Sequence, residues 1–251
     1  VSNIIAQDNK IQSIALENGQ TYFFDKVILA TGGLSYPVTG STGDGYRFAQ
    51  SLGHTVTDLR ASLVPIMIKE NFCSKLCGLS LKNVKLSLYL DGKKKPVFSE
   101  LGEMMFTDFG ITGPLVLSAS AYMDKEPELY SVKIDLKPAL DEQTLNNRLI
   151  REFKDNNNKS VNVAMRSLLP KSLIDCVLKR AGVKGDICCS EVTVEMRNNI
   201  ICALKRLPFA PKKLRPIEEA IVTSGGVNVK EISPKTMESK LVKGLFFAGE
   251  V

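Results

Sequence analysis

The apolar positions of this chain change rhythm along its length, and each rhythm predicts a different kind of structure. At the start, Ile4-Ile5-Ala6, a weakly alternating Ile11–Leu16 and Thr21-Tyr22-Phe23-Phe24 are separated by turn residues at Asp8-Asn9 and Asn18-Gly19. Short apolar runs joined by such polar pairs predict an antiparallel meander. The unbroken run Val27-Ile28-Leu29-Ala30 follows, and it predicts a core strand covered on both faces. Beyond it, Tyr46–Leu52 has helical spacing, with Phe48, Ala49 and Leu52 on one side. Thr42 or Asp44 is placed to cap that helix, and Gly53 stops it.

From about residue 60 the period shortens. Ser62–Ile68, Val84–Leu90, Pro96-Val97-Phe98 and Val132–Leu136 read as short strands of a small barrel or closed sheet. A glycine-bearing stretch, Gly102–Pro114, interrupts them, and Pro114 starts a short helix over Leu115–Tyr122. Residues 141–205 turn helical, with helices expected over Asp141–Phe153, Val161–Leu169, Ser172–Arg180 and Glu191–Leu207. Pro208–Val222 reads as one extended return strand, and Leu245-Phe246-Phe247 as a last core strand running into Ala248-Gly249-Glu250. The expected organisation is therefore discontinuous. Residues 1–59 and 217–251 form a partial nucleotide-binding α/β domain, 60–138 and 207–216 a β-barrel-like insert, and 139–206 a helical subdomain.

The candidate chemistry lies where strands run into glycine, which is where open α/β sheets hold cofactors. Thr31-Gly32-Gly33 follows the first core strand, and Thr223-Ser224-Gly225-Gly226 repeats the idea near the other end. Glycine lets a backbone approach a flat or phosphorylated ligand closely. The same residues also read as two ordinary tight turns. The segment Leu34–Gly45 adds Gly40 and Gly43 ahead of a helix start, a place where unpaired N–H donors gather. Glu250 offers an acceptor for ligand hydroxyls, Lys235 or Lys240 a cation for a phosphate, and Tyr36 a ring to stack. Asp44 is better placed as a cap than as an acid. His54, the one histidine, sits after a helix stop, where capping carbonyls competes with general-base work. Glu103, Thr107 and Asp108 can line a cleft or simply a barrel rim.

Composition narrows this little. At 251 residues, 44% apolar and 24% charged, the chain is an ordinary globular one with room for two cores. Its net charge of +6 looks spread out, with Lys93-Lys94-Lys95 after the turn pair Asp91-Gly92 as the one dense cluster, a solvated hairpin tip. Six cysteines show no zinc-site or Cys-x-x-Cys spacing, which suits reduced thiols in a cytoplasmic protein with no metal. No window is long and apolar enough to span a bilayer. The G-x-G-x-x-G loop that opens a dinucleotide fold is absent, so the chain reads as an excised or processed segment.

Ala30–Gly45, Ser62–Pro65, Gly102–Thr107, Gly110–Pro114, Thr223–Val227, Pro234–Lys240 and Gly244–Val251 together resemble the bacterial HI0933-like or BaiN-like flavoproteins, a family of NAD(P)/FAD-dependent oxidoreductases. The resemblance implies a fold of class α/β plus β: a glutathione-reductase-like FAD-binding domain interrupted by a β-barrel-like insert that carries a nested helical subdomain. It implies FAD in the full-length protein, lost from this segment alone, with NAD(P)H as electron donor to a small organic substrate. The candidate cofactor-binding residues are Thr31, Gly32, Gly33, Ser35, Tyr36, Gly40, Gly43, Gly225, Gly226, Lys235, Gly249 and Glu250. No catalytic acid or base transfers. A non-catalytic nucleotide-binding or structural module is the competing expectation. A nucleic-acid-modifying flavoenzyme needs a continuous basic surface, which the lysine spacing does not display, so no nucleic-acid partner is expected.

Overall fold

The computed structural model describes residues 1–251 as two compact units, Val1–Val64 with Arg215–Val251, and Pro65–Leu214. In chain order the first unit contributes β1 (Asn3–Gln7), β2 (Lys10–Ala15), β3 (Thr21–Phe23), β4 (Val27–Leu29), α1 (Asp44–Ser51) and β5 (Val56–Ser62). The second contains β6 (Ile66–Ile68), β7 (Ser80–Leu90), β8 (Phe98–Phe106), β9 (Gly110–Thr112), α2 (Pro114–Ser120) and β10 (Tyr130–Asp135). It continues with α3 (Glu142–Asp155), α4 (Val161–Ala164), α5 (Lys171–Ala181), α6 (Val194–Lys205), β11 (Leu207–Phe209) and β12 (Pro211–Leu214). The chain then returns to the first unit for β13 (Val222–Val227) and β14 (Leu245–Phe247).

In the first unit β1, β2 and β3 form the expected antiparallel meander. β4 and β14 pair in parallel, Val27 with Leu245 and Leu29 with Phe247, although 215 residues lie between Leu29 and Leu245 in the sequence. Ile4, Ile11, Phe48 and Ala49 pack with Val27, Leu29, Leu245 and Phe247 in one core. Burial of β4 on both faces does not hold: Val27 and Leu29 are buried but Ile28 is 68% exposed. The parallel sheet has two strands here, and the residues of α1 and the meander join its core on the Val27–Leu29 side. β5 escaped the sequence reading because Val56–Ser62 is mostly polar and none of its residues is fully buried. It is held by pairing with β13 instead, Ser62 opposite Val222 and Val56 opposite Val227.

The second unit is a seven-stranded sheet in the order β11-β10-β7-β8-β9-β6-β12. Its outermost strands, β11 and β12, are consecutive and separated by Ala210 alone, so the two sheet edges come together and close a barrel. The junction is sealed by hydrogen bonds: Lys69 N–H donates to the Ala210 carbonyl (2.9 Å) and Ala210 N–H to the Glu70 carboxylate (3.0 Å). Two expectations change here. Gly102–Phe106 is not an interruption but the second half of β8, and Pro208–Val222 is not one strand but β11, β12 and a 3-10 turn over Ile217–Glu219. Pro208 and Pro211 lie within β11 and β12, the end strands of the sheet, opposite Lys133 and Ile68, and Pro216 starts the 3-10 turn.

Two of the expected helices are shorter than their apolar pattern: Glu191–Leu207 yields α6 only after a 3-10 turn at Cys189–Glu191, and Val161–Leu169 yields α4 and a 3-10 turn over Met165–Ser167. Asp141 Oδ1 accepts from Thr144 N–H (2.7 Å) at the start of α3, Thr193 Oγ1 from Met196 N–H (3.1 Å) at the start of α6, and Gly182 closes α5 with φ 69°. Leu145, Leu149, Leu173, Val177, Ile200 and Leu204 join the barrel's Ile66, Leu86, Ile111 and Ile134 in one continuous core. Lys205 fastens the two parts: its ammonium pairs with Asp135 at 2.6 Å and donates to the carbonyls of Lys137 and Leu140. Three donors meet three acceptors, which is what a largely buried ammonium requires.

Candidate cofactor-binding site

The candidate site lies within the first unit, where three distant segments meet. Its centre is Thr223, at the start of β13 and 6% exposed. The Thr223 hydroxyl oxygen accepts N–H bonds from Leu34 (2.8 Å) and Ser35 (3.1 Å), and Thr223 N–H donates to Glu250 Oε1 (2.5 Å). Ser35 Oγ donates to the same carboxylate oxygen at 3.0 Å, and the Tyr46 hydroxyl to the Glu250 carbonyl at 3.4 Å. The loop after β4, the strand β13 and the turn after β14 are thus clamped by two side chains. Burial, and then the charge of Glu250, push the Tyr46 hydroxyl above its ordinary pKa, so it stays a donor.

Gly33 is required by this clamp. A Cβ there would fall on Thr223 Oγ1 and within 2.7 Å of Glu250 Oε1. Gly45 is required in the same way, since its Cβ would fall on the Thr31 hydroxyl and 3.3 Å from Val251. Gly225 and Gly226 do not end a strand. They lie inside β13 at a bulge against β5, with φ 98° and 131°, Gly225 against the Asp58 carbonyl and Gly226 against the Val251 backbone. Gly32 faces Ser41, and Gly43 faces Leu34. Five of the predicted glycines therefore pack against their own chain, whereas Gly40 and Gly249 have open space on the side where a Cβ would project.

Neither Thr42 nor Asp44 caps α1. Its cap is Gly43, with φ 81° and no side-chain hydrogen bond, while Asp44 is the first helical residue and is engaged by Arg47 (3.0 Å) and Thr42 (3.3 Å). The Arg47 hydrogen bond holds the Asp44 carboxyl below its usual range. Tyr36 takes the left-handed region, φ 48° and ψ 59°, and stands 48% exposed ahead of the turn Pro37–Thr39. Lys235 is exposed on the turn between Ile232 and Ser239, a segment that bridges back to Phe246, and no hydrogen bond ties it to the Thr223 clamp.

The role of Thr223 lies beyond the glycine motif that contains it, and the threonine ahead of each paired glycine is its signal in the sequence. His54 neither caps carbonyls nor faces a cleft: its ring is fully buried, with Nδ1 3.1 Å from Glu231 Oε2 and Nε2 2.8 Å from Ser239 Oγ. Ser239 Oγ already accepts from Leu241 N–H (3.0 Å) and Val242 N–H (2.8 Å), so its proton goes to Nε2 and Nδ1–H faces Glu231. With both lone pairs engaged, this serine is a tie and not a nucleophile. The thiols are equally quiet: burial and the nearby Glu70 push Cys73 up to about 12 and Cys176 up to about 11.

What the residues fit can be tested on one atom. Thr31 Oγ1 is buried and has no hydrogen-bond partner, beside Gly45 and the first turn of α1, which no side chain caps. A buried hydroxyl without a partner is costly, and a ligand carbonyl or hydroxyl would remove that cost. Glu250 spends Oε1 on the clamp and has Oε2 to offer. These groups suit a ligand that carries hydroxyl and carbonyl oxygens.

The model of the HI0933-like protein barrel and H2TH domain matches residues 60–222, and the chain belongs to this family. It is 33% identical over 249 residues to the ribosomal RNA dihydrouridine synthase of Haemophilus influenzae, covering 98% of this chain and 59% of that protein. To the Escherichia coli protein of the same name it is 32% identical over 234 residues, 93% of this chain and 56% of the other. To the 3-dehydro-bile acid delta(4,6)-reductase of Clostridium scindens it is 27% identical over 237 residues, 93% and 57% respectively. The chain thus spans between 56% and 59% of the length of these relatives. No helix is long and apolar enough to cross a membrane.

Proposed function

We propose that this chain belongs to an FAD-dependent reductase that adds two hydrogens across a carbon–carbon double bond conjugated with a carbonyl, with NAD(P)H as donor and a uracil base of ribosomal RNA as substrate. The observation that carries the flavin reading is the Thr223–Glu250 clamp, which joins the loop after β4, strand β13 and the turn after β14, together with the orphaned Thr31 hydroxyl beside Gly45. Support for the reaction comes from the relatives' names, which describe one chemistry on two substrates. Dihydrouridine is uridine saturated next to its C4 carbonyl, and a delta(4,6)-reductase of a 3-oxo steroid acts on a double bond conjugated in the same way. Support for RNA over a small acceptor comes from the two relatives of higher identity. The expectation of a small organic substrate with no nucleic-acid partner is the competing reading, and the steroid reductase relative supports it.

FAD, when bound, supplies the hydride chemistry. The residues of this chain supply position. Thr223 fixes the Leu34 and Ser35 amides, so the backbone beside the cofactor is organised before it arrives. Thr31 Oγ1 and Glu250 Oε2 would hold cofactor oxygens, and Gly40 and Gly249 leave room for a ring or a ribityl chain. In this reading the unit built from residues 1–64 and 215–251 is part of a glutathione-reductase-like domain.

The test is twofold. Purified full-length protein should be yellow and bleach anaerobically with NADH or NADPH. Ribosomal RNA from cells lacking the gene should lose one two-hydrogen mass gain on a uridine, restored by the wild-type gene. A colourless folded protein sinks the flavin reading. An unchanged RNA mass map sinks the substrate and returns the small-molecule acceptor.

A further inference from the structure

The charge of this protein is not spread evenly. Pro65–Leu214 carries 24 Lys and Arg against 17 Asp and Glu, a net +7, whereas Val1–Val64 with Arg215–Val251 carries 9 against 10, a net −1. All of the excess positive charge belongs to the barrel unit.

Strand register gathers part of that charge on one face. In β7 the side chains of Leu86 and Leu88 are fully buried, which turns Lys85, Ser87 and Tyr89 outward. Ser87 stands opposite Lys133 of β10 on one side and Ser99 of β8 on the other, where the two hydroxyls are 2.8 Å apart. The Lys133 ammonium lies 4.7 Å from the centre of the Tyr89 ring. Lys85 faces Leu101, which is 66% exposed on the same side. Lys93-Lys94-Lys95 occupies the turn between β7 and β8, just beyond Tyr89. Sequence spacing made that triplet an isolated tip; the sheet makes it the end of a row.

The carboxylates near this face are engaged or turned from it: Glu100 of β8, opposite the inward Leu86, alternates with Ser99 and Leu101. Asp135 pairs with Lys205 (2.6 Å), Glu128 with Lys69 (3.1 Å), and Asp91 Oδ1 accepts from Gly92 N–H. Glu103 stands at the far end of β8, away from the lysine turn. What remains is a pleated surface with a ring, hydroxyls, an exposed leucine and lysines to one side. A polymer that alternates phosphates with flat, apolar-faced bases uses every one of these groups. An acidic protein would use the lysines and leave the ring idle.

We propose that this outer face of β8, β7 and β10 binds a single-stranded segment of RNA, with phosphates on Lys133 and Lys93–Lys95 and one base on Tyr89. The ammonium now resting on the ring marks the place the base takes. The proposal rests on the RNA-substrate reading above, and it names the surface that would hold the RNA.

Fluorescence anisotropy of the full-length protein with a labelled single-stranded oligouridine, over a salt series, tests it by binding alone. Wild type should bind with an affinity that falls as salt rises. Lys93→Ala/Lys94→Ala/Lys95→Ala should lower the slope of log affinity against log salt by about 2, each lost phosphate contact counting about 0.7. Tyr89→Ala should weaken binding about tenfold at every salt concentration, and Tyr89→Phe should restore it. All four substituted positions lie on the exterior, and unchanged melting curves verify the fold. Wild type that ignores RNA, or variants that bind as wild type does, overturns the proposal; so does binding to phosphatidylserine vesicles with none to RNA. Uridine reduction with variants unimpaired in binding would sink this face and leave the reaction. RNA held at this face, with no dihydrouridine lost on gene deletion, would do the reverse.

Discussion

Thr223 and Glu250 show how much depends on single atoms. One hydroxyl oxygen satisfies two amides and one carboxylate oxygen satisfies an amide and a serine. Thr223→Val keeps the shape and strands the Leu34 and Ser35 N–H groups, so a loss of about 1–3 kcal/mol is expected with loss of bound flavin. Thr223→Ser should keep both; thermal melts and the visible flavin band of the full-length protein read the difference. Glu231 is the second such residue. The Thr55 N–H bond, with a smaller contribution from His54, holds its carboxyl below the ordinary glutamate range. Its folded-state pKa is depressed, so its stabilisation is complete above the unfolded pKa and is lost as pH falls through the folded one. The melting temperature of wild type should therefore drop more steeply than that of Glu231→Gln as pH is lowered below 5 toward 3, where carboxyls titrate. Parallel curves would remove Glu231 from the account.

Among the elements, β6 and β9 meet at a place where a methyl group does not fit. A Cβ on Gly110 would fall on the Ile66 carbonyl oxygen, 2.9 Å from Ile68 N and 3.1 Å from Met67 Cα, all of it backbone in the paired strand. Gly110→Ala should destabilise by several kcal/mol, on the order of 3 or more, because β9 must leave its ladder. Gly78→Ala is the control: φ is 83° but nothing lies within 4 Å, so only the left-handed backbone cost of about 1–2 kcal/mol applies. Equal losses in denaturant melts would refute the steric account. Element identity was largely readable where periodicity was strong, as in α3, α5 and β7. It failed where pairing replaced pattern: β5 has a polar sequence and is made a strand by β13.

The barrel unit has its own core and its own closure. Its first strand, β6, pairs with its last, β12, Ile66 opposite Leu214 and Ile68 opposite Pro211, so both ends of Pro65–Leu214 leave from one ladder. A protein of residues 65–214 should fold alone with a single cooperative melt, and Leu145→Ala, at a fully buried site in the helical part, should lower the stability of barrel and helices together by about 2–5 kcal/mol. Two separate transitions would show that the helices form a subdomain of their own.

Sequence by itself determined the turns at Asp8-Asn9 and Asn18-Gly19, the Asp141 cap and the Gly182 stop, because φ, capping and apolar period are local properties written residue by residue. It also carried the family resemblance, since the glycine segments keep their order along the chain. Only the tertiary structure decided that Thr223 closes on Leu34 and Ser35, 189 and 188 residues away, and that His54 ties Glu231 to Ser239. It alone placed Lys133 against Tyr89 and gathered the positive charge in one unit. Those contacts depend on which strands are neighbours, and strand order is set by the packing of the whole core, not by any window of residues.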